Sequence, residues 1–417
     1  MIVYKFGGAS LKNTESIQFL AKLLSNTKEN IVVVISALNK TTNKFENLVE
    51  QFYNGKNFKA NLKQIKEFHI EICRELIPDK KHDLFKRIEN IFEQFESLLN
   101  NGLNGEYDFI YDQIVPYGEI LSTTIISSYL NEVGVKNKYL DIRNFIITDN
   151  THREAIVDWK KTKSKLSKSV NFKNTNLYIT QGYIGETEKN ISTTLGREGS
   201  DFTASIIGNV LDAEEVVLWK DVDGIMNADP KCYENPILLE NISYREAIEL
   251  AFYGAKVLHP KTVKPLQNKN IPLLVKSFFN PDSKGTLILG SDKQIKHITS
   301  YIFKQDQTLI SISPKDHSFV VEKHLNKIFA SLTKNRIQLN LLQNSALNFS
   351  ICVDCNKTKL NNFIAELKPD FRILYNENLE LITIRHHDKD SIQKTIGSRK
   401  VLLEQKSRRT IQFVVGD

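Results

Sequence analysis

Residues 31–35 read IVVVI, five consecutive β-branched aliphatic residues with no polar residue between them. A strand with one wet face alternates apolar and polar residues, so an unbroken run predicts a strand buried on both faces, as in a parallel sheet covered by helices on each side. Parallel neighbours need long crossovers, and the following sequence supplies them. From Lys44 to about Glu106 the apolar residues recur at three and four, a helical block. LSTTIISSYLNEVG then reads as helix, NLYITQGYIG as strand and turn, DFTASIIGNVL as helix, and AEEVVLWKDVDGI as strand and loop. REAIELAFYGAKVL reads as one helix and IPLLVKSF as a strand. This alternation predicts an α/β domain with a mainly parallel sheet sandwiched by helices, ending near DSKGTLI at 282–288.

The pattern changes near Asp292. TLISISP, the amphipathic EKHLNKIFASLTKNR, IQLNLLQNS and NFSICVDC read strand, helix, strand, strand, and KLNNFIAEL adds a second helix. That is a small α+β module of βαββαβ type. The tail from Asn378 carries three strand-like stretches and one short helical piece, like a second copy with parts missing. The expected domains are therefore 1–291, 292–377 and 378–417. At 417 residues the chain is long enough for several cores.

Composition narrows the function. A hydrophobic fraction of 41% and a charged fraction of 25% suit a globular protein in water, and no apolar run reaches the roughly 20 residues of a membrane span. With no signal-peptide profile at the N-terminus, a cytoplasmic location is expected. Four scattered cysteines, Cys73, Cys232, Cys352 and Cys355, make no disulfide framework. CVDC has redox spacing but ends an alternating strand, and no second pair completes a zinc site. The net charge of +7 is spread among acids rather than gathered in a basic stripe, which argues against nucleic acid and for a small anionic substrate.

Polar clusters fall where α/β sheets bind ligands, after strands and at helix starts. In IVYKFGGAS a strand ends at Lys5 and runs into Gly7 and Gly8. A strand, a glycine turn and a helix start can form an anion site, although an ordinary turn with a surface lysine would look the same. The pattern is neither a Walker A sequence nor G-x-G-x-x-G. Ser36 and Ala37 close a strand, and Thr42 and Asn43 start a helix, offering hydroxyl and amide groups to a ligand or helix capping alone. Glu119 follows Gly118 inside an apolar helix, where a carboxylate needs a cation or a helix end. Gly196, Arg197, Gly199, Ser200 and Asp201 combine flexible backbone, a planar cation and an acid at a helix start. Asp221, Asp223 and Asp229 follow a buried strand, and FYGAKVLHP has Lys256 after a glycine within a helix and His259 before a proline. Glycine turns, two lysines, an arginine and acids at the ends of one sheet suit phosphoryl transfer, which asks mainly for positioning and positive charge.

KFGGAS, SALNKTTN, PYGE, QGYIG, LGREGSD, DVDGIMNADP and GAKVLHP, in this order and before an ACT-like module, resemble the aspartate kinases of the amino acid kinase family. The resemblance runs over essentially the whole chain. It implies the amino acid kinase fold followed by ferredoxin-like ACT modules, the second one reduced. It also implies transfer from ATP, with Mg2+, to the side-chain carboxylate of L-aspartate. Lys5 would stabilise the transferring phosphoryl group, with Gly7 and Gly8 as backbone donors. Arg197 would fork onto the aspartate carboxylate, Thr42, Glu119 and Ser200 would surround the amino acid, and Asp201 would orient the lysines or the metal. ATP would lie along Asp221, Met226, Lys231 and Lys256. No protein side chain is assigned as a metal ligand. ACT units usually pair, so a homodimer is expected.

The chain departs from the family pattern at Ala9 (usually threonine), Glu198 (glycine), Lys220 (threonine), Met226 (tyrosine) and Lys231 (arginine). It also has Asn340 and Ala346 where lysine-binding relatives would place acids, so inhibition by lysine is not expected. Two alternatives stay open: an amino acid kinase with another carboxylate substrate, and an ACT-based binding regulator.

Overall fold

The structure is a computed structural model that describes residues 1–255, 258–290 and 297–416. The described chain divides into two compact units, one of residues 1–225, 240–248 and 257–295, the other of 226–239, 249–256 and 296–417. The expected boundary at 291/292 lies outside the described residues.

The first unit is built on an eight-stranded sheet. Its strands are β1 (Ile2–Phe6), β2 (Ile31–Ile35), β3 (Lys138–Leu140), β4 (Leu177–Gln181), β7 (Glu215–Lys220), β8 (Asn241–Ser243), β9 (Leu273–Ser277) and β10 (Thr286–Leu289). Two short strands, β5 (Ile184–Glu186) and β6 (Ser192–Thr194), form a separate antiparallel hairpin. The main order is β3-β4-β2-β1-β7-β9-β10-β8, parallel throughout except between β9 and β10. All five residues of β2 are buried, as its composition requires. Helices α1 (Thr14–Ser25), α2 (Thr41–Tyr53), α3 (Lys59–Leu76), α4 (Asp83–Asn100), α5 (Tyr107–Ile114) and α6 (Tyr117–Glu132) precede β4. They share one core with β1 and β2, in which Phe6, Phe45, Phe92, Phe95 and Phe278 are fully buried. Helix α7 (Trp159–Ser169) also precedes β4, and α8 (Gly199–Val210), α9 (Tyr244–Tyr253) and α10 (Pro260–Gln267) follow it.

Two register facts set up the site. Lys5 lies beside Leu218 in the β1–β7 pairing and Phe6 beside Trp219. Side chains alternate along a strand, so Lys5 and Lys220 project to one face while Phe6 and Trp219 stack on the other, with ring centroids 5.9 Å apart. Helix α8 covers the lysine face. It approaches closely because Gly208 has no side chain, and a Cβ there would come within 2.6 Å of Val216.

The second unit carries a six-stranded antiparallel sheet made of β11 (Ser300–Pro314), β12 (Leu339–Asn344), β13 (Phe349–Asp354), β14 (Phe371–Arg385), β15 (Lys400–Lys406) and β16 (Thr410–Gly416), in the order β12-β13-β11-β14-β16-β15. Helices α11 (Glu322–Lys334) and α12 (Lys357–Leu367) pack on one core with Ile310, Ile351 and Phe371. This is the expected βαββαβ order. Strands β11 and β14 each run for 15 residues and slip register near Lys304 and Gln307. Their other halves, Ser300–Lys304 and Leu381–Arg385, join β16, β15 and the short α13 (Lys389–Ile396). The tail from 378 thus completes its sheet by sharing the start of β11.

One element is shorter than expected. The predicted helix REAIELAFYGAKVL stops at Tyr253, because Gly254 takes φ +116°, outside the helical range. Lys256, read from sequence as an ATP contact within that helix, lies outside the described residues.

Candidate active site

Lys5, next to last in β1, holds its ammonium 2.6 Å from Asp201 Oδ1, and Lys220 ends β7 with its ammonium 2.5 Å from Asp201 Oδ2. Asp201 stands in the first turn of α8 and is 1% exposed, and Lys5 is 6% exposed. One buried carboxylate is therefore bracketed by two ammonium groups from neighbouring strands. Burial alone would raise the Asp201 pKa, but the charges of Lys220 and Lys5 outweigh it and hold the group well below the usual carboxylate range. Burial lowers the Lys5 pKa, opposed by Asp201 and reinforced by Lys220. Lys220 is raised because Asp201 and Glu198 outweigh its own burial.

The glycine turn after β1 brings backbone to this cluster. A Cβ on Gly7 would sit 3.2 Å from the Lys5 ammonium, and one on Gly8 would sit 2.4 Å from the Ala37 carbonyl oxygen. At Gly8 a side chain is excluded by the Ala37 backbone, whereas at Gly7 the nearest group is the flexible end of Lys5, which places that part of the turn beside the lysine ammonium. Ala9, next in the turn, is half-buried.

Glu119 lies in the first turn of α6, 2% exposed. Of the two placements its burial allowed, the structure shows the helix end. Its Oε1 accepts a hydrogen bond from the Ala37 N–H at 3.4 Å, while Oε2 is buried with no hydrogen-bond partner among the described residues. Burial pushes its pKa up to about 8, against the Ala37 bond and the charge of Lys5. An acid in this state is a ready receiver for an ammonium group.

Ser200 is buried at the start of α8, against a turn that needs glycine, since a Cβ on Gly182 would come within 2.5 Å of its side chain. Thr42 is half-buried in the first turn of α2. Arg197 is exposed and makes no hydrogen bond or ion pair among the described residues, so its guanidinium fork is available to a ligand. Asp221 follows Lys220 and is exposed, in the same unit. Met226 and Lys231 belong to the second unit, where Met226 is half-buried and Lys231 exposed.

The structure also shows what sequence reasoning passed over. Lys220, noted there only as a departure from the family pattern, is a full member of the cluster. Its one signal was a lysine at the end of an otherwise buried strand. A second network lies on the hairpin side of the unit. Buried Asp112 accepts from Thr194 Oγ1 at 2.7 Å, from the Arg153 N–H at 3.0 Å and from His152 Nδ1 at 2.8 Å. Beside it the hydroxyls of Tyr111 and Tyr183 are 3.0 Å apart, and Tyr111 donates to Glu46 at 2.7 Å. These bonds hold the β5–β6 hairpin that leads into Arg197.

The family model described as "Amino acid kinase family" matches residues 1–277. The chain belongs to the amino acid kinase family. Among curated relatives, chloroplastic aspartokinase 1 of Arabidopsis thaliana is 33% identical over 369 residues, covering 85% of this chain and 63% of the relative. The first curated relatives are matched over 32 to 70% of their own length, so the chain spans only part of several of them. Among solved structures, Escherichia coli aspartokinase III in complex with lysine and aspartate superposes with a TM-score of 0.85 at 26% identity, covering 100% of this chain and 96% of that one. The same enzyme in complex with aspartate and ADP gives a TM-score of 0.82 at 26% identity, with the same coverage. The chain shares the amino acid kinase fold with these proteins, and its antiparallel C-terminal sheet is of the ACT kind.

Proposed function

We propose that this chain is an aspartate kinase. It transfers the γ-phosphoryl group of MgATP to the side-chain carboxylate of L-aspartate, giving 4-phospho-L-aspartate and ADP, the first step toward lysine, threonine and methionine. The observation that carries this reading is the buried Asp201 carboxylate bracketed by Lys5 and Lys220 in an amino acid kinase fold. The acceptor is drawn from the relatives that bind aspartate.

The chemistry fits the residues present. A carboxylate oxygen of aspartate is already ionised at neutral pH, so it attacks the γ-phosphorus without a general base. The bond from that phosphorus to the bridging oxygen breaks, and ADP leaves with the electron pair. The work left to the protein is to gather anions and spread their charge. Lys5 and the backbone of Gly7 and Gly8 meet the phosphates, and Asp201 holds the lysine ammonium groups in place. Glu119 takes the ammonium group of the amino acid, Arg197 takes a carboxylate bidentately, and Thr42 and Ser200 complete the pocket. Mg2+ would enter with the nucleotide and supply positive charge that offsets the phosphates, with no protein side chain assigned to hold it. No group of three or more His, Cys, Asp and Glu side chains among the described residues forms a metal cage of protein ligands alone. Asp221, Met226, Lys231 and Lys256 are assigned to the nucleotide.

Residues 1–291 form the catalytic domain in this reading, 292–377 an ACT-like domain and 378–417 a reduced second unit. The ACT region pairs two copies of the chain, supported by the apolar side chains of Phe319, Val321 and Leu347, which are exposed at 67, 43 and 47%. Light scattering at twice 47.9 kDa tests that pairing. No described helix is long and apolar enough to cross a membrane, and the four free cysteines suit a reducing cytoplasm. The enzyme reading is tested by trapping the acyl phosphate with hydroxylamine. Aspartyl hydroxamate should accumulate with MgATP and L-aspartate, and its absence at saturating substrates overturns the assignment.

A further inference from the structure

Two side chains around Asp201 remain without a role of their own, and they sit on opposite signs of charge. Lys220 comes from β7 and Lys5 from β1, so their ammonium groups reach the two oxygens of Asp201 from adjacent strands. An ammonium has three donors and a single carboxylate oxygen engages one of them. The Lys220 side chain is 18% exposed against 8% for Lys5, which leaves its remaining donors access to a ligand. Glu198 is the other residue. It precedes α8 in the left-handed region at φ +53°, it caps the helix with no side-chain hydrogen bond, and its Oε2 is buried without a hydrogen-bond partner among the described residues. A glutamate is poorly suited to that backbone and to that burial, and such strain persists where the surroundings over-determine it.

We propose that Lys220 is a second phosphate-contacting catalytic residue of this site and that Glu198 is its positioning counter-charge. The inference rests on the phosphoryl-transfer reading above. Counting formal charges, two lysines and two carboxylates sum to zero. Removing Lys220 alone leaves one ammonium against two carboxylates at the point where phosphate must bind, and removing both members of the pair restores the balance. Glu198 stands at the N-cap of α8, three residues before Asp201, so its charge acts on the cluster without a direct ion pair to Lys220 among the described residues, and its electrostatics agree with this placement. Burial raises its pKa to about 7, Lys220 is the largest influence pulling it down, and Asp201 pushes it up.

The test combines Lys220→Thr, Glu198→Gly, the double variant and Lys220→Arg. Binding of the non-hydrolysable β,γ-methylene analogue of MgATP is measured by calorimetry beside the rate of hydroxamate formation. Lys220→Thr should weaken analogue binding at least tenfold and lower kcat by ten- to a hundredfold, with the aspartate KM held within about threefold. Adding Glu198→Gly should recover at least fivefold of both losses. Lys220→Arg, which keeps the charge, should stay within about fivefold of the wild type and also covers the case in which the threonine variant fails to fold. A Lys220→Thr protein that folds and binds the analogue within threefold of the wild type overturns the proposal. So does a double variant no better than Lys220→Thr. If the wild type binds the analogue but forms no aspartyl hydroxamate, the acceptor assignment fails while the binding data still decide the role of Lys220.

Discussion

Lys5 and Glu119 show how burial assigns work to single residues. Lys5 is one of two positive charges on a dry carboxylate, so its ammonium is held in place, and in the proposed reaction it would need no reorganisation as charge moves onto the leaving oxygen. Lys5→Ala is expected to lower kcat by about 10²–10³, equivalent to roughly 3–4 kcal/mol of transition-state stabilisation. Steady-state kinetics check this, and a raised KM with unchanged kcat would mean ground-state binding only. Glu119 carries a pH signature. Its folded pKa of about 8 lies above the ordinary glutamate value of 4.5, so between these values the folded chain holds a proton that the unfolded chain has released. That contribution to stability is complete below about pH 4.5 and is lost as the pH rises through about 8. The melting temperature of unliganded Glu119→Gln should therefore fall less than that of the wild type between pH 6 and 9. If Glu119 receives the substrate ammonium as proposed, that pairing requires the ionised acid, and the aspartate KM of the wild type should fall as the pH climbs from 6 to 8. Glu119→Gln should bind weakly with a flat profile.

At the scale of elements, the site depends on how closely a turn and a strand end approach each other. The β1 turn passes Ala37, two residues beyond β2, so tightly that a methyl group on Gly8 would overlap its carbonyl oxygen. Neither partner is a flexible side-chain end, so the turn itself must move. Gly8→Ala is expected to cost about 1–3 kcal/mol of stability, as overpacking does, and to reduce kcat at least tenfold. Thermal unfolding and initial rates measured on the same preparation test both parts. The α8 start obeys the same logic, since Gly182 and Gly199 make room there for Ser200 and Tyr183.

At the scale of the whole molecule, the second unit bears on control. Asn340, where a lysine-binding relative would carry an acid, is occupied by the chain's own groups. Its Oδ1 accepts from Lys304 at 2.8 Å, and its amide nitrogen donates to Gln307 and Asp354, each at 2.8 Å. A neutral amide already bonded on both sides has little to give an added ammonium group, and losing a charge-assisted contact costs roughly 1.5–3 kcal/mol. Lysine at 1 mM is expected to leave activity nearly unchanged, and half-maximal inhibition below about 1 mM would refute this.

Much of this architecture was legible in local patterns. The uninterrupted β-branched run predicted a strand buried on both faces, because no polar side chain in it needs water, and β2 is that strand. Lys5, Gly8 and Asp201 drew notice because a lysine, paired glycines and an acid at strand and helix ends have few bland explanations. What local pattern did not carry is which charges meet. Lys5 and Asp201 are far apart along the chain, and Lys220 beside DVDG looks like any solvated lysine after a strand. Only the parallel register of β1 on β7 turns both ammonium groups to one face, and only the packing of α8 on that face puts one carboxylate between them. Sequence periodicity determined the elements, because burial of an element's own face is a local property. Tertiary structure decided the site, because electrostatic pairing depends on distances that close only when non-neighbouring strands and helices pack.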